Sequence, residues 1–536
     1  MSTQKRFFSG MLILTFSNVL IKAVGLLFKI PLTNLIGETG MGYFNAAYTI
    51  YAWFYMLTTA GLSVAVSMIV SESRARANTK QIKIIVRTVL LLFFAIGAVG
   101  TLIMVLGANK FAELIRVPEA AICIIAIAPS LFFSCMSSAL RGYFQGYQVM
   151  FPTAVSQVME ALGKLFIGIS IAKYTLNLGM KTQNVAACAL LGIAIGVAAG
   201  FLFLTVAKLC FNEKKYNNEY ERLEGDSVKV ENGRSIAARL IKIAIPITIS
   251  SSVMSLTSIF DTVIMPSGLM KYGYTNEAAV EIYGNYTSLA VPMFNLPPVL
   301  IYAITYSVIP LITASVTRRE HDEARRYMSS SIKLTSLIAM PCAVGLSVLA
   351  YQILSLFFRA DMVANGSGML AALAPSVFFV CMVAITNAIL QACGKERMPI
   401  ISMLAGSAVK LVGSIVLIPI LGKYGSPVST LVCYMTIVAL NMYFVAKYAG
   451  VTPSIINVYL KPLVASAACG ITAMLVSYKL TSVLGSTIST ALAIVCAVIV
   501  YAAFVLLLKC LTKEDVEVLP KGEKVYAILK KLKAIN

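Results

Sequence analysis

The sequence predicts an all-α polytopic membrane protein. Three observations carry this: 59% of the 536 residues are hydrophobic, only 12% are charged, and the apolar residues fall in long runs rather than in amphipathic stripes. Soluble domains hold roughly 25% charged residues, so a cytosolic multidomain enzyme is excluded. Apolar runs of about 20 residues, the length that spans a bilayer core as a helix, occur near 9–36, 42–70, 84–108, 119–144, 152–173, 185–210 and 238–264. A second set lies near 283–313, 333–357, 367–392, 400–420, 427–446, 457–478 and 488–510, so about 14 transmembrane helices are expected.

The first run follows Lys5 and Arg6 but contains Asn18 and Lys22 and has no small-x-small cleavage site, so it reads as a retained helix and not a signal peptide. With the N-terminus in the cytoplasm, roughly 32 of the 44 basic residues fall on the cytoplasmic side, about 8 outside and four in the membrane. The loops Arg74 to Lys83, Lys214 to Lys242, Arg318 to Lys333 and Lys395 to Arg397, with the tail from Lys509, hold most of the cytoplasmic ones. Both termini are therefore expected in the cytoplasm. The formal charge of +21 is a topology signal here and gives no reason to expect nucleic acid.

The longest polar stretch divides the chain into an N-lobe over 1–212, a linker at 213–236 and a C-lobe over 237–450. Extra helices follow at 451–510, then a basic tail at 511–536 with Val525, Ile528, Leu529 and Leu532 on one helical face; it reads equally as an interfacial helix or a solvated tail. Gly146, Pro152 and Lys164 recur as Gly394, Pro399 and Lys410 at nearly the same spacing and sense. A same-sense repeat of six spans implies two six-helix lobes with a pseudo-two-fold axis along the membrane normal, plus two extra C-terminal helices.

Ionisable groups inside the bilayer are expensive unless they face a cavity or a partner. Six qualify: Lys22, Lys29, Glu160, Lys164, Asp261 and Lys410. Asn18, Lys22, Gly25 and Lys29 share one face of the first helix, although snorkelling of Lys29 is the blander alternative. Gln157, Glu160 and Lys164 form a second stripe, in which Glu160 precedes Lys164 in the favourable i, i+4 order and is expected to pair with it. Lys410 has no carboxylate on its own helix, and Asp261 lies near the outer end of the seventh span. Pro292, Pro297 and Pro298 around Asn295 predict a bent or broken helix.

The eleven cysteines lack metal-ligand or redox spacing, and the single histidine, His321, leaves no imidazole pair. Metal-dependent hydrolysis is therefore not expected, and neither a metal site nor a catalytic residue is assigned. No G-x-x-x-x-G-K-[ST] stretch occurs, so no cofactor or ATP site is expected and the energy must come from a membrane potential or ion gradient. Four positive against two negative intramembrane groups suit an anionic ligand.

Gly37 to Glu72, Arg141 to Glu160 (RGYFQGYQVMFPTAVSQVME) and Tyr283 to Ile312 resemble the MurJ and stage V sporulation protein B type flippases of the multidrug/oligosaccharidyl-lipid/polysaccharide (MOP) exporter superfamily. The resemblance implies alternating access around a central cavity and transfer of a polyprenyl-diphosphate-linked saccharide across a bacterial plasma membrane. It also implies a cationic cavity, with Lys22, three before Gly25, at a commonly basic position; the family's usual arginine is lysine here. By this reading Lys22, Lys29, Asn18, Gln157, Glu160, Lys164, Lys410 and Asn295 are the substrate-binding candidates. Glu160 and Asp261 would be coupling carboxylates in the alternative, a sodium- or proton-coupled multidrug cation antiporter. Expected partners are the lipid-linked oligosaccharide, membrane lipids and cell-envelope synthesis enzymes, with the transporter itself a monomer.

Overall fold

The computed structural model describes residues 3–75, 79–211 and 231–512, and these are almost wholly helical, without a strand among them. The tail from 513 and most of the linker, 212–230, lie outside the described residues, and with them the expected interfacial helix. Each of the apolar runs read from the sequence falls on helix. Ten segments among the described residues are long and apolar enough to cross a membrane.

The chain forms two compact units. The first comprises Met1–Ser267 with Asn276–Gly284, the second Gly268–Thr275 with Asn285–Asn536. In the first unit the elements are α1 (Thr3–Ala75), α2 (Thr79–Leu114), α3 (Ala120–Gly146), α4 (Phe151–Gly163), α5 (Ile169–Asn177), α6 (Thr182–Leu209), α7 (Gly233–Tyr272) and α8 (Asn276–Asn285). The division after Ser267 leaves most of α7 with the first unit, whereas the sequence places it in the C-lobe. A close approach accounts for this, because Gly61 of α1 lies against the backbone of α7 at Ala244.

α1 is two helices joined at Gly37, whose φ of 74° and ψ of −176° reverse the chain. Phe28 and Phe44 have ring centroids 6.0 Å apart, whereas sixteen residues of straight helix would separate them by about 24 Å. The segment is thus a hairpin whose halves pack side by side. α3 is the most enclosed helix; α1, α2 and α6 all pack on it. Its small residues Ser134, Ser137, Ser138 and Gly142 permit that crowding.

Pro152 sits in the first turn of α4, where its missing N–H costs nothing. A π-helical turn, Lys164–Gly168, then links α4 to α5. α4 and α6 meet through glycine: a Cβ on Gly163 would lie 2.5 Å from Gly196 Cα, and one on Gly200 would lie 3.0 Å from the Ser156 carbonyl. The two backbones touch because side chains are absent.

The second unit continues with α9 (Val291–Phe294), α10 (Leu296–Thr317), α11 (His321–Val348), α12 (Ala350–Ser355), α13 (Ala360–Leu373), α14 (Pro375–Ala392), α15 (Arg397–Leu421), α16 (Gly425–Ala449) and α17 (Lys461–Leu507). α16 packs on α14 and α15, and α11 packs on α14 and α17. The interruption that the prolines predict is present: a π-helical turn covers Tyr286–Ala290, and the helix breaks at Asn295. Ser336 of α11 donates to the Val458 carbonyl in the π-helical turn Ile456–Leu460 that precedes α17, and the Tyr501 hydroxyl of α17 donates to the Leu337 carbonyl at 2.5 Å, fastening both to α11. In both units a short connection leads into a helix with a proline in its first turn, Pro152 in α4 and Pro399 in α15.

Candidate functional site

A polar cavity of about 270 Å³ lies inside the first unit between α1, α3, α4 and α6. Both halves of the α1 hairpin reach it, Asn18 from the first and Tyr48, Tyr51 and Tyr55 from the second. α3 contributes Ser134 and Arg141, and α4 contributes Gln157 and Glu160, with Lys164 at the start of the π turn. Spacing explains the α1 face: residues 48, 51 and 55 stand at i, i+3 and i+7, on one side of the helix.

At the centre is an ion pair. Arg141 Nη2 meets Glu160 Oε1 at 2.5 Å, with side-chain exposures of 6% and 21%. The same guanidinium donates from Nε to Ser156 Oγ at 3.1 Å, and Ser156 in turn donates to the Thr153 carbonyl at 2.8 Å. Glu160 is therefore paired with Arg141 and not with Lys164, correcting the expectation from i, i+4 spacing. The physical reason is that Arg141 enters from another helix with a planar fork that fits a carboxylate, and the chain turns π-helical at Lys164, where the 3.6-residue register ends.

Lys164 points instead toward the first half of α1. Its Nζ lies 5.8 Å from the centroid of the Phe28 ring, and a Cβ on Gly25 would be 3.7 Å from it. Gly25 belongs to the polar face Asn18, Lys22, Gly25, Lys29, and Lys164 lies close enough to Lys29 for their charges to interact. Lys22 is exposed and Lys29 half-buried; neither lines the cavity.

The structure thus brings together Asn18, Gln157, Glu160 and Lys164, with Lys29 beside them. The other candidates are elsewhere. Asp261 is half-buried in α7 and Asn295 is exposed, its Nδ2 donating to the Val291 carbonyl at 2.9 Å. Lys410 is 1% exposed within the second unit. Its Nζ donates to Thr430 Oγ1 and to the Ser426 carbonyl at 3.3 Å, while the Tyr286 hydroxyl stands 3.5 Å from Thr430 Oγ1. These bonds tie α15 to α16.

Arg141 and the tyrosines are what sequence reasoning missed. Arg141 lies near the end of its apolar run and is not among the six intramembrane groups read from the sequence, yet it is 5% exposed. The available signal was a polar stripe on α3, Ser130, Ser134, Ser137 and Arg141, at i, i+4, i+7 and i+11.

The family models and curated relatives that this chain matches make it a multi-pass membrane transporter of the MOP exporter superfamily. The chain belongs to the polysaccharide biosynthesis protein family, whose model matches residues 7–316; a second model, MatE, matches residues 246–416. It is 23% identical over 520 residues to stage V sporulation protein B of Bacillus subtilis (strain 168), covering 96% of this chain and 98% of that one. It is 22% identical over 485 residues to the lipid II flippase MurJ of the same organism, covering 88% of each. A solved inward closed conformation of a lipid II flippase MurJ has the same fold, with TM-score 0.68 and 14% identity over 92% of this chain and 98% of that one.

Proposed function

We propose that the protein is a flippase. Its cargo is an anionic polyprenyl-diphosphate-linked saccharide, a lipid II-like peptidoglycan precursor or related lipid-linked polysaccharide unit. Transfer runs from the cytoplasmic to the outer leaflet of the bacterial plasma membrane by alternating access, with both termini cytoplasmic. The observation that supports this is the cavity enclosed by apolar helices, whose lining holds two cations, Arg141 and Lys164, against one carboxylate, Glu160. Lys22 and Lys29 on the adjacent face raise the net charge from one to three, which suits a diphosphate. The prenyl chain stays in lipid, so only the polar head needs a path. Similarity to a lipid II flippase supports the same cargo class.

The membrane potential supplies the energy. Moving a dianion outward across an inside-negative membrane is favourable by roughly 4.6 kcal/mol per 100 mV. The transporter acts as a monomer that receives its cargo from cell-envelope synthesis enzymes. A cation antiporter would need Glu160 to exchange a proton or sodium ion; Arg141 already occupies that carboxylate, which favours the anion reading.

Thermal stabilisation of the purified protein by a polyprenyl diphosphate, with a neutral prenol as control, tests the proposal. Stabilisation is expected to require the diphosphate and to fall when Lys22→Ala and Lys29→Ala are combined. An equal response to the prenol, or none to either lipid, overturns it.

A further inference from the structure

We propose that the wall of Tyr48, Tyr51 and Tyr55 is a saccharide subsite that takes a pyranose ring of the cargo, apart from the lysines that attract the diphosphate. This rests on the flippase reading and adds where the sugar is held.

The three rings form a continuous ladder on one face of α1. Tyr48 lies parallel to Phe44, at 6.1 Å and 7°, and Tyr51 follows Tyr48 at 5.9 Å and 52°; Tyr55 follows Tyr51 at 6.0 Å and 36°. The phenol of Tyr51 is fixed by Ser134 Oγ at 2.9 Å. Exposure separates the rungs: Tyr48 is 40% exposed, whereas Tyr51, at 7%, packs with the buried core as Tyr143 and Tyr147 do, so Tyr48 is the rung that offers surface to a sugar.

The same lining holds Asn18, Gln157 and the Arg141–Glu160 pair. A pyranose presents apolar C–H faces that lie on aromatic rings, and an edge of adjacent hydroxyls that both donate and accept. Amide side chains and a carboxylate–guanidinium pair supply matching acceptors and donors; a wall of cations would not.

Size agrees with such a subsite. At about 270 Å³ the cavity falls just under the roughly 300–1,000 Å³ that encloses a drug-sized ligand. One or two sugar rings fit; a whole lipid-linked head does not.

The test compares two lipids on the full-length purified protein, a bare polyprenyl diphosphate and lipid II, by titrated thermal shift. Wild type is expected to bind lipid II more tightly than the bare lipid. Tyr48→Leu with Tyr55→Leu should remove that increment, about tenfold in Kd, while leaving bare-lipid affinity unchanged, which also certifies the fold. An increment that survives the double substitution overturns the subsite and leaves the flippase reading standing. Equal loss for both lipids also overturns it, since the cavity would then hold the diphosphate. If wild type binds neither lipid, the flippase reading fails and the subsite with it.

Discussion

Glu160→Met gives the sharpest test of how the cavity is built. At 2.5 Å, its attraction to Arg141 is about 6–7 kcal/mol gross at an effective dielectric constant near 20, most of it offset by the desolvation of both groups. Removing one partner of a buried pair costs about 3–5 kcal/mol because it strands the other charge. Two features reduce this: Glu160 is 21% exposed, and Arg141 keeps its bond to Ser156 Oγ. About 2–3 kcal/mol is expected for Glu160→Met and a similar loss for Arg141→Met. Replacing both removes two charges that had been desolvated together, so the double variant should fall within about 1 kcal/mol of wild type. Equilibrium unfolding of the four proteins in mixed detergent micelles, followed by far-UV circular dichroism, gives the coupling directly. If the two single losses simply add, the pair is not a coupled unit and its central place in the cavity is wrong.

Three other substitutions probe separate parts of the molecule. Lys410→Met should cost about 2–3 kcal/mol through its lost charged hydrogen bonds and leave diphosphate affinity unaltered; a lost affinity in lipid titrations would place Lys410 in the binding path instead. Gly163→Val must push α4 from Gly196 and should lower the melting temperature far more than Gly345→Ala, whose Cβ would meet nothing within 4 Å; equal melting curves would disprove the backbone contact. Arg239, paired with Glu72 and, at 3.2 Å, with Glu231, is 37% exposed, so Arg239→Ala should cost under about 1 kcal/mol, with the loss shrinking at high salt. A salt-independent loss of several kcal/mol would contradict a screened surface cluster.

The helices were legible because lipid demands long apolar runs, and each run is a local property of the chain. Local turns were legible too: Pro152 and the proline cluster around Asn295 act through their own missing N–H groups. What escaped depends on partners distant in sequence. Spacing placed Glu160 and Lys164 on one stripe, but nothing local to α4 reveals that a guanidinium 19 residues earlier reaches the carboxylate. Arg141 was obscured by its position in a run that ends close by, where topology counting treats any arginine as a loop residue. Lys410, read as a ligand group from its own helix alone, also bonds hydroxyls of α16, which no spacing within α15 reveals.

The glycine seam between α4 and α6 has a mechanical consequence. Where two backbones touch, no rotamer can change to let one helix slide or tilt against the other, so the wall bearing Gln157, Glu160 and Ile193 behaves as a slab. The opposite wall is a hairpin hung on a single reversal at Gly37. The compartment therefore has stiff sides and one articulated side, and it tightens around an occupant by swinging the first half of the hairpin, the arm that carries Asn18.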